Sequence, residues 1–380
     1  MNKKIKSLFM LDSKITYLNH GSFGACPKPI FNELINWQKK LEREPVKHLV
    51  FDIYNYLEKS RDALSKYVDC NKNDVIFSPN PSTALNTVIK SLKLKKDDEI
   101  LTTNHEYGAL DKTWKFICNK TGAKYIQAKI LLPLISNDNF IDCLEKKITT
   151  KTKIIFVSHI TSSTALIFPA KKISALAKKY NIFCIIDGAH APAYLNLSIR
   201  EINCDVYVGA CHKWMCSPKG VSFLYVKKKH QDMIDPLIVS WGYESEYPSE
   251  SKFLDYHQWQ GTKDMSAYLT IPYTIKFLKD NNWDNIRKKC REINLWARDE
   301  INDLLNKEAM CDKKFLGQMS SIYINKVATI DYQLYFYKKY KIQIPFILWN
   351  NKSLIRISIQ AYNSKEDVYK LLDALKKELV

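Results

Sequence analysis

The chain has no long hydrophobic run. No stretch of its 380 residues approaches the about 18 uncharged apolar residues that a membrane-spanning helix needs. The longest apolar runs, such as residues 182–186, have the length of a strand. The sequence therefore predicts no membrane-spanning helix, whereas its 46% hydrophobic content excludes wholesale disorder and predicts a folded core.

Arginine is scarce although the chain is strongly basic. The 58 lysines and arginines outnumber the 40 acidic residues and give a net charge of +18, but most of them are lysines scattered in pairs and triplets. Arginine is the residue that favours bidentate phosphate and base contacts, and no basic stripe with interleaved aromatics occurs. The charge therefore favours a lysine-rich surface, and a basic nucleic-acid-binding protein is kept as the non-enzyme alternative.

The ten cysteines form no CxxC pair, so a metal site of the zinc type is not expected. Several of them, such as Cys184, lie in apolar strand-like runs, where a reduced cysteine acts as a small hydrophobic residue. The first 13 residues also lack the sustained apolar core of a secretory signal. We therefore expect a reduced, cytoplasmic protein.

Helical and strand patterns alternate from about residue 28 to 230, which predicts an α/β fold with a mainly parallel sheet. The last strand-like runs, 206–208 and 221–226, are too close for a helical crossover, so one strand is expected to be antiparallel. A long helical stretch over about 265–304 and an α+β tail follow. A length of 380 residues, at about 150 per domain, favours two domains.

Polar residues follow the strand-like runs, where ligands bind in open α/β sheets. Ser82 and Thr83 come before a helix and could cradle a phosphate, Tyr107 follows the next run, Asp187 ends a fully apolar run, and Lys213 lies in a strand–strand connection. Taken singly, each has an ordinary structural explanation. Together they describe a pyridoxal 5′-phosphate site: the lysine forms a Schiff base, the aspartate keeps the pyridine nitrogen protonated, and the aromatic ring stacks on the cofactor.

At this point the sequence resembles a known family, the class V aminotransferases of the fold-type I pyridoxal 5′-phosphate enzymes. It is most similar to the isopenicillin N epimerase-like branch, which is related to the cysteine desulfurases. The resemblance extends over nearly the whole chain. It rests on short motifs in order: 17–24 (YLNHGSFG), 106–109 (EYGA), 159–164 (HITSST), 187–192 (DGAHAP), 212–214 (HKW) with 218–220 (PKG), 259–264 (WQGTKD), and 356–358 (RIS) before 361–363 (AYN).

The resemblance implies a seven-stranded, mainly parallel sheet with helices on both faces and a smaller α+β C-terminal domain. The implied division is 26–265 for the large cofactor-binding domain and 266–380 for the small domain, with 1–25 packing near the latter. It also implies a homodimer with shared active sites and an amino acid or aminoacyl substrate. The roles that it implies are Lys213 as the catalytic Schiff-base lysine, Asp187 at the pyridinium, His190 at the phenolic oxygen, Tyr107 on the ring, Ser82, Thr83 and His212 at the phosphate, Thr262 at the partner's phosphate, Arg356 on the substrate carboxylate, and Gly21, Ser22 and Ser162 in the substrate pocket.

Two departures bear on the reaction. Ala210-Cys211 stands where relatives often place a serine or asparagine, so one phosphate contact is missing or supplied elsewhere. Residues 340–354, where desulfurases carry a nucleophilic cysteine, contain none. The leading hypothesis is therefore an epimerase or racemase, or a C–S or other β-lyase, acting at Cα. An aminotransferase and a cysteine desulfurase are the enzymatic alternatives.

Overall fold

A seven-stranded sheet forms the centre of the computed structural model, which describes residues 3–380. Its strand order is β2-β8-β7-β6-β5-β3-β4. The strands within the described residues are β1 (Thr16–Tyr17), β2 (Val75–Ser78), β3 (Glu99–Thr103), β4 (Lys124–Ala128), β5 (Thr152–Ser158), β6 (Phe183–Gly188), β7 (Val206–Ala210), β8 (Ser222–Val226), β9 (Met319–Ile324), β10 (Ile342–Gln343), β11 (Phe346–Trp349) and β12 (Lys352–Ser358).

Helices connect these strands and cover the sheet. They are α1 (Lys3–Lys6), α2 (Lys28–Arg43), α3 (Ile53–Val68), α4 (Pro81–Ser91), α5 (Gly108–Thr121), α6 (Asn137–Glu145), α7 (Ala170–Lys179), α8 (Ile199–Ile202), α9 (Lys252–Gln258), α10 (Ser266–Leu269), α11 (Ile271–Asp280), α12 (Trp283–Leu305), α13 (Ile330–Tyr340) and α14 (Lys365–Leu379). No helix within residues 3–380 is long and apolar enough to cross a membrane.

The α/β fold with a mainly parallel sheet is confirmed. β3 to β7 pair in parallel, and β8 is antiparallel to both of its neighbours, β2 and β7. In β5, Ile155 and Val157 belong to one apolar cluster, while Ile154 and Phe156 belong to the cluster on the other face. Because both faces are buried, the strands read as continuous apolar runs rather than alternating ones.

The long helical stretch expected after the sheet is present but divided. The stretch over about 265–304 is not one helix but three, α10, α11 and α12. Pro272 lies in the first turn of α11, where proline is tolerated because it lacks the N–H that an interior helical position needs. Asn282 adopts a left-handed conformation with φ of 49°, which separates α11 from α12. The sequence pattern shows the apolar period but not these backbone breaks.

A smaller antiparallel sheet, in the order β11-β12-β9, lies in the C-terminal part of the chain. The N-terminal segment joins this part: β1 pairs in parallel with β10, and Asn19 bridges to Ser358 at the end of β12. These pairings bring residues 16–24 beside the loop that follows β7. The division into domains 26–265 and 266–380 remains a proposal.

Candidate active site

A cavity of about 310 Å³ opens at the carboxyl ends of the parallel strands. Ser158 ends β5, Asp187 lies beside it in β6, and Lys213 follows β7 by three residues, so the topology brings all three to one edge. Predicted site residues that line the cavity are Gly21, Ser22, Ser82, Tyr107, Ser162, Asp187, His190, His212 and Lys213. Thr83, Thr262 and Arg356 do not line it, although Arg356 contacts residues that do.

Lys213 is half-buried in the loop between β7 and β8, with its Nζ 3.1 Å from Nε2 of His190. Burial lowers the pKa of its amine to about 8, while the nearby Asp187 opposes that shift. The N-terminal segment closes over the backbone of this loop. A Cβ on Gly24 would lie 2.5 Å from the carbonyl oxygen of Lys213 and 2.8 Å from its Cα, so glycine is needed for this close approach.

Asp187 is the residue that tests whether pyridoxal 5′-phosphate fits the cavity. Its side chain is 4% exposed, and its Oδ1 accepts a hydrogen bond from the backbone N–H of Ala189 at 2.9 Å. Within residues 3–380 it makes no ion pair, and burial raises the pKa of its carboxyl. A buried carboxylate that faces a cavity without a bonded cation needs one, and a protonated ring nitrogen supplies that partner. The residues therefore fit the cofactor.

A helix start forms one wall of the cavity. Asn80 caps α4, where its Oδ1 accepts a hydrogen bond from the backbone N–H of Thr83 at 2.8 Å, and Ser82 lies in the first turn. Free N–H groups and hydroxyls at a helix N-terminus suit an anion. Asn80 lines the cavity and was not singled out from the sequence, although an asparagine directly before Pro81 is a usual helix-start signal.

His212 and Lys219 line the same cavity. His212 Nδ1 lies 2.8 Å from the carbonyl oxygen of Val221, and a carbonyl only accepts, so Nδ1 carries the proton. Burial lowers the pKa of His212 to about 4, with Lys213 adding to the effect. Lys219 donates to the carbonyl oxygen of Gly24 at 2.5 Å. No role for Lys219 is predicted from the sequence, since a lysine before a glycine is not a specific signal by itself.

Arg356, in β12, is a buried cation without an acidic partner among residues 3–380. It is 2% exposed, and burial lowers the pKa of its guanidinium to about 10. One nitrogen donates to Ser22 Oγ at 2.5 Å and another to the carbonyl oxygen of Ser162 at 2.5 Å, while Nε has no partner. Neutral oxygens hold its orientation but do not balance its charge. The arrangement suits a carboxylate ligand.

Glu106 is a buried carboxyl in the motif 106–109, and no role for it is predicted from the sequence. Its Oε1 accepts from Thr103 Oγ1 at 2.6 Å, and its Oε2 accepts from both the backbone N–H and the hydroxyl of Ser158. Burial raises its pKa to about 8, and the charge of Asp187 contributes. Ser158 pairs with Asp187 across β5 and β6, so Glu106 lies directly behind the strand ends that form the site.

Tyr107 and Thr262 are both exposed residues in loops. Tyr107 precedes α5 and is 47% exposed, with its ring at the cavity. Thr262 is exposed in the loop between α9 and α10, next to Gly261, whose φ of 92° is a conformation that favours glycine. Its expected contact with the phosphate of a second copy stays a prediction.

Comparisons with known proteins bear on the family and the fold. The family model described as aminotransferase class-V matches residues 28–371. The chain is 27% identical to an isopenicillin N epimerase of Amycolatopsis lactamdurans, over 97% of this chain and 96% of that protein. It is 25% identical to a hercynylcysteine sulfoxide lyase of Schizosaccharomyces pombe, over 98% of this chain and 96% of that protein. Among solved structures, a lysine-to-alanine mutant of C-DES with glycine covalently linked to its PLP cofactor has a TM-score of 0.84 and 18% identity, covering 99% of both chains.

Proposed function

Because the chain belongs to the class V aminotransferase family and is a fold-type I enzyme that uses pyridoxal 5′-phosphate, we propose that it removes the Cα proton of a small amino acid or aminoacyl substrate. The products would be those of β-elimination, including C–S bond cleavage, or of epimerisation. One observation carries the proposal: a lysine amine lines the cavity and an uncompensated arginine lies next to its wall, with Lys213 in the lining and Arg356 behind Ser22 and Ser162.

The cofactor would be held by contacts that the cavity offers. When bound, pyridoxal 5′-phosphate withdraws electrons from Cα and so makes its proton removable. Asp187 would pair with the ring nitrogen, and His190 would contact the phenolic oxygen. Tyr107 would cover the ring. The phosphate would meet Ser82, Thr83 and His212 of this chain and Thr262 of a second copy.

His212 would bind the phosphate as a cation. Its Nδ1 proton is committed to the carbonyl oxygen of Val221, so its Nε2 is a hydrogen-bond acceptor in the neutral ring. A phosphate dianion offers only acceptors, hence Nε2 must take up a proton to donate to it. The helix start at Asn80 adds backbone donors on the same wall.

Lys213 Nζ would act as the base at Cα. A base must be unprotonated at working pH, and burial already lowers the pKa of this amine to about 8. Arg356 would orient the substrate by its carboxylate, with Ser22 and Ser162 holding the guanidinium. Within residues 3–380, Asp187 is the one acidic residue that lines the cavity, so the pocket favours substrates with a carboxylate over cationic ones.

The size of the cavity favours a small substrate. Its 310 Å³ lies at the lower end of the about 300–1,000 Å³ that ligand pockets span, and it must hold both cofactor and substrate. This favours β-elimination on a small amino acid over epimerisation of a bulky aminoacyl compound. Epimerisation remains the second candidate, supported by the similarity to isopenicillin N epimerases. Transamination ranks behind both, because nothing in the cavity favours it.

A cysteine desulfurase is the weakest enzymatic alternative. Within residues 3–380 no cysteine lines the cavity. The cysteines nearest to Lys213 in sequence, Cys211 and Cys216, are fully buried, and burial raises the pKa of both thiols above its usual range. A buried, protonated thiol is a poor nucleophile. A lyase needs no such thiol.

We propose a homodimer in the cytoplasm. The exposure of Thr262 supports a contact with a second copy, since this residue cannot serve the cavity of its own chain. Large aromatic side chains are also exposed at Phe51 (72%), Trp241 (85%) and Tyr247 (89%), and they line one shared groove. Apolar surface of this kind is typical of a protein interface.

The proposal is tested by following Cα exchange by NMR in D₂O with L-cysteine, S-methyl-L-cysteine, and D- and L-alanine, with pyridoxal 5′-phosphate added. Exchange with pyruvate release would establish elimination, and exchange with inversion at Cα would establish epimerisation. Lys213→Arg should abolish exchange, whereas Lys171→Arg, an exposed surface lysine, should leave it unchanged. Amine transfer to a keto acid, or no exchange with any of these compounds, would contradict the proposal.

A further inference from the structure

His190 is held between an indole and an amine. Trp214 Nε1 lies 3.3 Å from His190 Nδ1, and His190 Nε2 lies 3.1 Å from Lys213 Nζ. Trp214 is fully buried and His190 is 3% exposed, so water does not compete for these contacts. The indole ring is itself held by two aromatic neighbours. Its centroid lies 4.7 Å from that of Tyr194, in an edge-to-face contact, and 5.1 Å from that of His20, in a tilted contact.

The indole determines which nitrogen of His190 is protonated. An indole N–H only donates, so His190 Nδ1 must accept and cannot carry a proton. The charged and titratable groups that act on His190 are Lys213, Arg356 and His212, and together with burial they lower its pKa well below 6.5. The ring is therefore neutral, and its single proton lies on Nε2.

We propose that Trp214 is a positioning residue that fixes His190 in the Nε2–H tautomer, so that the ring presents a hydrogen-bond donor to the cavity. In the opposite tautomer two N–H groups, those of the indole and of Nδ1, would face each other in a buried site with no acceptor between them. The assignment also requires Lys213 Nζ to accept from Nε2–H in the cofactor-free protein, which only a neutral amine does, so it applies above the Lys213 pKa of about 8.

The consequence for the cofactor rests on the proposed function. A donor at Nε2 would stabilise the ionised form of the phenolic oxygen of pyridoxal 5′-phosphate, whereas an acceptor would stabilise its protonated form. Trp214 would in this way act on the protonation of the cofactor without touching it. Removal of the indole N–H should weaken the preference for the ionised form.

The test uses Trp214→Phe, which removes the N–H and keeps an aromatic ring. Trp114→Phe is the matched control, because Trp114 is also fully buried, its Nε1 has no partner, and it does not line the cavity. The first readout is the ¹⁵N spectrum of cofactor-free protein labelled in histidine, with His190 assigned through His190→Gln. The second is the pH midpoint of the absorption band of the bound cofactor.

At a pH above about 8, where the Lys213 amine is neutral, we expect the wild-type protein and Trp114→Phe to show His190 protonated at Nε2. Trp214→Phe should lose this fixed tautomer, and its absorption midpoint should rise by about one pH unit, a tenfold change in proton affinity. A wild-type His190 protonated at Nδ1, or a Trp214→Phe protein that matches Trp114→Phe in both readouts, would overturn the proposal. The ¹⁵N spectrum of the wild type needs no variant to fold, and because it uses no substrate it is independent of the reaction that the enzyme catalyses.

Discussion

His20 Nε2 donates a hydrogen bond to the backbone carbonyl oxygen of Lys213 over 3.1 Å. The other ring nitrogen, Nδ1, lies 2.9 Å from the hydroxyl of Tyr362 and accepts from the backbone N–H of Ala25 at 3.3 Å. One fully buried imidazole thus joins the N-terminal segment, the loop that carries the lysine, and the C-terminal part of the chain.

His20→Ala should therefore loosen the loop of Lys213 as well as destabilise the fold. Buried partners left without a hydrogen bond cost about 1–3 kcal/mol each, so the free energy of unfolding should fall by roughly 2–4 kcal/mol. The affinity for pyridoxal 5′-phosphate should fall with it. His230→Ala is the control, because His230 contacts Asp205, which precedes β7 at the end of the strands opposite to the cavity. Urea unfolding and cofactor titration measure both effects, and equal cofactor affinity in the two variants would refute the role of His20.

Replacement of Arg356 should weaken substrate binding and spare the cofactor. Arg356→Lys keeps the charge but loses the two-nitrogen geometry, and charged hydrogen bonds contribute about 1.5–3 kcal/mol, so the Kd for L-alanine should rise about 10- to 100-fold. Arg298→Lys is the matched control, since Arg298 is 5% exposed and binds Asp299 and the carbonyl of Cys311 away from the cavity. Spectral titration measures the Kd for the cofactor and the Kd for L-alanine. Equal Kd values for L-alanine in Arg356→Lys and Arg298→Lys would rule out a carboxylate contact at Arg356.

The stability of the cofactor-free protein should fall steeply in weak acid. Histidines that stay neutral in the fold become protonated on unfolding below about pH 6.5, so their stabilisation is present above that pH and is lost as the pH falls toward their folded pKa values. Each contributes up to about 1.4 kcal/mol per pH unit over that range. Burial lowers the pKa to about 3 for His20 and to about 4 for His105, His159, His212 and His257.

Glu106 acts in the opposite direction. Its pKa is raised to about 8, so its stabilisation is present below about pH 4.5 and is lost as the pH rises through 8. Burial also raises the pKa of Asp187, which acts in the same direction as Glu106, but five histidines outweigh these two carboxyls, and the urea midpoint should drop between pH 7 and pH 5. Glu106→Gln should remove the loss between pH 4.5 and 8 and keep the acid instability. A midpoint that stays constant from pH 7 to 5 would show that the histidines are not buried in the neutral form.

No cysteine should carry a persulfide during turnover. Since no cysteine among residues 3–380 lines the cavity, incubation with L-cysteine and the cofactor should leave the mass of the intact protein without an added sulfur atom. Alkylation of accessible thiols by iodoacetamide should leave the reaction unchanged, because the two partly exposed cysteines, Cys70 and Cys143, lie outside the cavity. A persulfide mapped to one cysteine, with activity lost on its replacement by alanine, would instead favour a desulfurase.

The sequence was sufficient for the fold class because the signals are local. Buried strands such as β5 appear as uninterrupted apolar runs, and the polar residue at the end of each run reaches the same edge of the sheet, which is how Asp187 and Lys213 could be found together. The antiparallel strand β8 followed from a connection too short for a helix. The break between α11 and α12 could not be foreseen, because it depends on a left-handed backbone conformation of Asn282 that the sequence context does not specify.

Other site features depend on contacts between distant parts of the chain. Glu106 has no role until Ser158 is seen to donate to it from another strand, and the tautomer of His190 requires the position of the Trp214 indole. Neither relationship leaves a pattern of spacing. The motifs shared with a family identify Glu106 and His190 as residues of interest. The hydrogen bonds that determine their protonation are seen only in the three-dimensional structure.

The most direct test of the account is borohydride reduction of the protein loaded with pyridoxal 5′-phosphate, followed by peptide mapping by mass spectrometry. Lys213 lines the cavity at the end of the parallel strands and has a pKa lowered to about 8, so the reduced cofactor should be found on the peptide that contains it and on no other. Lys213→Arg should carry no reduced cofactor. A protein that stays colourless with added cofactor, or a cofactor trapped on a different lysine, would contradict the assignment of this cavity as the active site.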